Sequence, residues 1–153
     1  QTTVCASPAY VQAYGLPRHI DELATRSCVN FREASGRVRE WEFKVDGLAR
    51  GCQPPAQHTF NDMDLILQAV LDGRGIAQLP AYQVCDLLRD GQLVSCLAQY
   101  APDDGGHYLC YPSRKHLPAR IRVFIDYMTE HTRALDLECL SSMASLSILC
   151  DEP

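Results

Sequence analysis

The spacing of hydrophobic and polar positions changes several times along the chain, and each change marks an element. Thr2 to Cys5 reads as a short strand. Ser7-Pro8 followed by Gly15 predicts a two-turn helix over Pro8 to Tyr14. Ser accepts from the free N–H groups of a first turn, Pro fits the first helical position, and Gly takes the left-handed backbone that ends a helix. Pro17 to Ala24 predicts a second short helix with Ile20 and Leu23 inward, and Cys28 to Phe31 an extended segment. From Arg39 to Val45 the period falls to two. Trp41, Phe43 and Val45 share one face and Glu40, Glu42 and Lys44 the other, which is a half-buried strand closed by an Asp46-Gly47 turn.

A Pro-containing loop, Cys52 to Ala56, and a short strand ending at Phe60 lead to the best-defined helix in the chain. Asn61 is expected to cap it, Asp62 and Asp64 place negative charge at its dipole-positive end, and Gly73 stops it. Met63, Ile66, Leu67, Val70 and Leu71 fall at helical spacing, so one face packs on a sheet. Gly75 to Leu79 predicts a strand closed by Pro80, Ala81 to Arg89 a helix ending at Gly91, and Leu93 to Leu97 another strand. After a turn-rich loop from Ala101 to Gly106, His107 to Tyr111 reads as a strand. Pro118 then opens an amphipathic helix to about His131, with Ile121, Phe124, Ile125 and Met128 on one stripe. Beyond Arg133 no element is assigned. Strands alternating with helices imply an α/β fold with a mainly parallel sheet flanked by helices.

Composition narrows the class. The 153 residues are about one domain, and 46% hydrophobic with 22% charged residues is an ordinary globular balance. The longest nearly apolar stretch, Leu65 to Leu71, is far shorter than the roughly 18 residues a membrane helix needs, so no membrane partner is expected. Gln1 to Ala6 carry neither the basic start nor the apolar run of an export signal. A net charge of −5 with scattered basic residues argues against direct contact with nucleic acid. The eight cysteines have no C-x-x-C pair, and several sit among apolar residues, which favours reduced, structural thiols over a disulfide framework. A zinc site through His107, Cys110 and His116 would lack a fourth ligand, so no metal and no cofactor are expected.

Motifs of catalysis are missing. There is no G-x-S-x-G elbow, no H-E-x-x-H, no phosphate loop and no G-x-G-x-x-G, so the chain is not expected to be an enzyme. Gly73-Arg74-Gly75 follows a helix, so it reads as a helix stop and a tight turn into the next strand rather than a dinucleotide loop. The candidate site is the junction Thr59-Phe60-Asn61-Asp62 together with Gly75 to Leu79, where a strand running into a helix N-terminus leaves free N–H groups suited to a small anion. The same residues also serve as a plain helix cap.

Here a resemblance enters. Phe60-Asn61-Asp62-Met63-Asp64, continuing through Gln68 to Pro80 with Gly73-Arg74-Gly75-Ile76-Ala77-Gln78-Leu79, resembles the effector domain of LysR-type transcriptional regulators. Ala6-Ser7-Pro8-Ala9-Tyr10, Trp41-Glu42-Phe43, Asp90-Gly91-Gln92-Leu93-Val94 and the stretch from Tyr111-Pro112-Ser113-Arg114 to Phe124-Ile125-Asp126-Tyr127 fit the same family in order. The resemblance implies a lobe of the type II periplasmic-binding-protein-like fold, with a C-terminal helix belonging to the other lobe. Residues 1–131 would be the second lobe and closing helix, and residues 132–153 a tail of unknown structure. Phe60, Asn61, Asp62, Ile76 and Gln78 would face a ligand cleft.

The function so implied is effector sensing by a cytoplasmic regulator, with a small organic anion as ligand. DNA would be contacted only through an N-terminal helix-turn-helix that this chain lacks, and the full-length protein would form a homo-oligomer. The stripe at Ile121, Phe124, Ile125 and Met128 would lie without its first-lobe partner, and so fold on the tail, pair between chains or pack poorly. Two rivals stand beside this reading: a periplasmic solute-binding protein of a transporter, and a thiol-based redox sensor, which needs a cysteine of depressed pKa.

Overall fold

The computed structural model describes residues 2–102 and 118–134. The chain divides into two units, Gln1–Asp104 and Gly105–Pro153. The first holds strands β1 (Thr2–Ala6), β2 (Cys28–Phe31), β3 (Trp41–Val45), β4 (Leu48–Cys52), β5 (Ala56–Phe60), β6 (Ala77–Pro80) and β7 (Val94–Cys96). Its helices are α1 (Pro8–Tyr14), α2 (Met63–Leu71) and α3 (Ala81–Arg89), with 3-10 turns at Ile20–Thr25 and Ala98–Tyr100. The described part of the second unit is helix α4 (Ala119–Ala134).

Local chemistry sets the first helix as expected. Ser7 Oγ accepts from Tyr10 N at 3.3 Å, Pro8 occupies the first helical position, and Gly15 turns the chain at φ 72°. Tyr10 is buried beneath it, and its hydroxyl accepts from Ser27 N at 3.2 Å, fixing the approach of the chain to β2. The segment after Pro17 winds as a 3-10 turn from Ile20, later and tighter than the helix expected, and still buries Ile20 and Leu23. Glu22 holds its start by accepting from the N–H groups of Arg18 and His19, both at 3.2 Å.

The strand pairing departs from a mainly parallel sheet, since three of the four strand pairs among the described residues are antiparallel. β2 and β5 are parallel, and a parallel bridge joins Cys28 to Ile76 just ahead of β6. β6 and β7, joined through α3, both pair antiparallel with β1, which lies between them. Alternation of strands and helices reports crossovers between consecutive strands, so β5, α2, β6, α3 and β7 follow the parallel expectation. It is silent about the chain's first strand, which inserts among them in the opposite sense. The α/β class itself holds.

β3 and β4 form a separate antiparallel hairpin, turned at Asp46-Gly47 with φ 51° and 79°. β3 buries Trp41 and Phe43 and exposes Glu42, as its alternation predicts. Gln78 ties this hairpin to β6. Its side-chain amide donates to Glu42 O at 2.8 Å and its amide oxygen accepts from Glu42 N at 3.0 Å, reproducing with a side chain the paired bonds of a sheet. The core joins Val4, Ala6 and Tyr10 from the chain start to Cys28, Trp41, Phe43, Ile76, Cys96 and Leu97. Among the described cysteines Cys5, Cys28, Cys52 and Cys96 are free, as expected, whereas Cys85 is disulfide-bonded.

Helix α4 runs through the stripe expected of it, with Ile121, Phe124 and Met128 exposed and Ile125 half-buried. The strand expected at His107 to Tyr111, the zinc candidates and the tail after residue 134 lie outside the described residues. No described helix is long and apolar enough to cross a membrane, and no group of described residues is arranged to hold a metal ion.

Candidate functional site

Helix α2 organises the site. Its buried positions Ile66, Ala69 and Val70 recur at i, i+3 and i+4, and with this face it packs on β2, β5 and β6. The cap is Asp62 rather than Asn61. Asp62 Oδ1 accepts from Asp64 N at 2.8 Å and from Leu65 N at 3.2 Å, while Asn61 is exposed in the bend ahead of it. Two adjacent residues both suit the role. The chain takes the cap one position later because the first helical residue is Met63. Asp62→Ala should cost about 1 kcal/mol of stability, the usual price of a lost cap, with Asn61→Ala near neutral; thermal denaturation of the two variants checks the assignment.

This cap changes the electrostatics of the junction. A carboxylate already satisfies the first N–H groups of α2, and Asp64 adds a second negative charge in the same turn. A free anion placed there would meet both. The positive end of the helix dipole is thus used within the chain itself.

A cavity of about 60 Å³ opens beside this junction. Val29, Ile66 and Trp41, exposed by only 1%, 2% and 4%, form its apolar floor, with Phe31, Met63 and Pro80 also lining it. Thr2 brings a hydroxyl that is buried without a hydrogen-bond partner. Gln78 lines the cavity with its amide already committed to Glu42. Arg39 and Glu40 complete the lining. The Arg39 guanidinium lies 4.4 Å from the Phe31 ring centroid and sets Nε at 3.4 Å from Glu33 Oε1, with half of its side chain exposed. The Glu40 carboxylate lies over Gly51 on β4, with Oε2 2.7 Å from the point a Cβ at Gly51 would occupy.

The five residues expected at the site fall in three places. Gln78 lines the cavity. Phe60 is the register partner of Phe31 at the end of β5, half-buried and stacked with His58; Phe60, Asn61 and Asp62 lead into the lining residue Met63 without lining the cavity themselves. Ile76 is fully buried in the core and bridges to Cys28. Thr2, Phe31 and Arg39 were not anticipated. They come from distant stretches of chain, and Arg39 is one of three arginines between positions 32 and 39, with nothing in the sequence to set it apart.

A family model described as the LysR substrate binding domain matches residues 1–133. Among curated relatives, the HTH-type transcriptional regulator LtrA of Klebsiella pneumoniae is 31% identical over 136 residues, spanning 87% of this chain and 44% of that protein. The regulator YcaN of Escherichia coli K12 is 33% identical over 127 residues, spanning 82% of this chain and 40% of the relative. Among solved structures, CrgA of Neisseria meningitidis, a LysR-type transcriptional regulator, superposes with a TM-score of 0.68 at 25% identity, covering 86% of this chain and 44% of that one. The chain therefore spans less than half the length of these proteins.

Proposed function

The chain belongs to the LysR substrate binding domain family, and from that premise we propose that it is the effector-sensing part of a DNA-binding transcriptional regulator. The observation that carries the reading is the cavity walled by β1, β2, β6, the start of α2 and the Arg39 to Trp41 segment. It is an apolar recess with few polar groups, the usual form of a small-molecule site. The ligand is a small organic anion, held in this recess beside Gln78 and away from the carboxylates of Asp62 and Asp64.

The recess spans two sheets joined by the paired hydrogen bonds between Gln78 and Glu42. Trp41 belongs to the β3–β4 hairpin, which has its own sheet, and Pro80 and Gln78 belong to β6. A ligand that binds one spacing of these parts better than another shifts the population toward it, and that differential affinity is the only free energy available for signalling. On this reading, DNA contact and oligomer assembly belong to segments outside the matched residues 1–133. In a redox sensor a thiol would be poised as thiolate; burial drives Cys5, Cys28 and Cys96 the opposite way, to about 12.

A thermal-shift screen of small metabolites on the intact chain tests the proposal. A compound that binds only the folded chain raises its stability by about 2.7 kcal/mol at a hundred times its Kd. At least one small anion is expected to raise Tm in a concentration-dependent way and to change Trp41 emission at the same concentrations. A screen in which no compound does either overturns the reading.

A further inference from the structure

We infer that the cavity beside α2 selects a short aliphatic carboxylate, three to five carbons long, whose alkyl end fills the recess and whose carboxylate meets Arg39. The inference rests on the sensing reading above and deepens it by assigning the class of ligand.

Size comes first. A cavity that takes benzene measures about 150 Å³. Here the recess is about 60 Å³, so it admits a small branched alkyl group and leaves an aromatic ring outside. Its floor, Val29, Ile66 and Trp41, is apolar and almost fully buried, which suits hydrocarbon and penalises a charge. The charge must therefore sit at the mouth.

Arg39 is the cation at that mouth. Its Nε faces Glu33 and its Cζ lies over the Phe31 ring, while Nη1 and Nη2 make no hydrogen bond to the described residues. The exposed edge of a guanidinium held in this way matches a carboxylate by two parallel bonds. Stacking on Phe31 fixes the fork before a ligand arrives, so less side-chain entropy is lost on binding. The neighbouring acid Glu40 also lines the recess, with its carboxylate directed over Gly51. Thr2 Oγ1 is the second polar group without a partner, a buried hydroxyl able to donate to a carboxylate oxygen. The N-terminus of α2, already filled by Asp62, takes no part.

Trp41 is the chain's single tryptophan and forms the floor, so its fluorescence reports this recess alone. The experiment titrates the whole chain with isobutyrate and follows Trp41 emission, with isobutyramide, benzoate and 2-aminoisobutyrate as comparators. Isobutyrate is expected to give a saturable change, with the amide, the aromatic acid and the amino acid each at least tenfold weaker. Arg39→Gln is expected to weaken isobutyrate at least tenfold, Arg39→Lys less, Thr2→Val several-fold, and Asn61→Ala not at all.

Isobutyramide binding as tightly as isobutyrate overturns the charge requirement on the unmodified chain, even if Arg39→Gln fails to fold. Benzoate binding as tightly overturns the size argument, and tighter 2-aminoisobutyrate overturns the assignment to a simple acid. Loss of isobutyrate in Asn61→Ala but not in Arg39→Gln would return the ligand to the helix N-terminus. If short acids leave Trp41 unchanged while another screened compound perturbs it, the ligand class falls and the sensing reading stands. If nothing perturbs Trp41 or Tm, both fall.

Discussion

Gly75→Ala should destabilise the first unit by about 3 kcal/mol or more, lowering Tm by roughly 10 °C, although it adds a single methyl group. A Cβ at Gly75 would lie 2.6 Å from Ser27 O and 3.0 Å from Ser27 C, both backbone atoms that no rotamer change can move aside. Two backbone bonds close the same junction: Ile76 N donates to Ser27 O at 2.9 Å, and Val29 N donates to Ile76 O at 2.8 Å. Relief of the clash requires β2 and the start of β6 to part, which stretches both bonds, each worth about 1 kcal/mol net, and adds the cost of overpacking. The recess floor depends on the same contact, since Val29 follows directly on Cys28, the residue bridged to Ile76. Ligand-induced stabilisation should fall in parallel. The control is Gly36→Ala, where a Cβ meets open space and only the positive φ of 85° is strained, for a smaller loss. Equal melting temperatures for Gly75→Ala and the parent chain would show that the two segments do not meet this closely.

Gly75 also illustrates what was legible in the sequence. Gly73-Arg74-Gly75 reads as a helix stop and a tight turn, and both glycines have those jobs: Gly73 takes φ 74° after α2, and Gly75 admits the backbone of Ser27. Signals of this kind are local, as are the cap at Ser7 and the alternation of Trp41, Glu42 and Phe43. β4 was not legible because Leu48, Ala49, Arg50 and Gly51 are all exposed, so an outer hairpin strand leaves no buried face to give it a period. The order of strands was not legible either, because a strand contributed by the start of the chain is a long-range event.

The site divides along the same line. The junction at Phe60 to Asp62 is a continuous segment that a sequence reading can single out, while the recess is assembled from β1, β2, the segment from Arg39 to Trp41, α2 and β6, and no single window of sequence contains it. Gln78 lies between. Between the fully buried Ala77 and Leu79 it points to the opposite face of β6 and is half-buried, so its place in the segment that resembles the family is all that the sequence shows of it. That its partner is the backbone of Glu42, leaving its amide spent on holding the hairpin, follows only from the fold.

Alkaline pH should produce the other large effect, and it comes from the same interior. Burial pushes the thiols of Cys5, Cys28 and Cys96 up to about 12, with a neighbouring thiol adding to the shift in each case. In the unfolded chain these thiols ionise near their ordinary value of 9.0, whereas in the folded chain they keep their protons. Between pH 9 and 12 the unfolded state therefore binds fewer protons than the folded one, and stability falls as pH rises. The contribution is fully present below pH 9 and is lost progressively toward 12. Each thiol shifted by this much carries a few kcal/mol, comparable in sum with the whole stability of a domain, so the folded state should collapse cooperatively within this window. Urea denaturation at pH 8, 9, 10 and 11 checks it, and Cys5→Ala with Cys96→Ala should flatten the decline while lowering stability at pH 8. The same protonation predicts that iodoacetamide at pH 8 spares all three thiols in the native chain and modifies them after denaturation. Native modification of any one at pH 8, or a denaturation midpoint that stays constant from pH 9 to 11, would contradict thiols held neutral in a closed core.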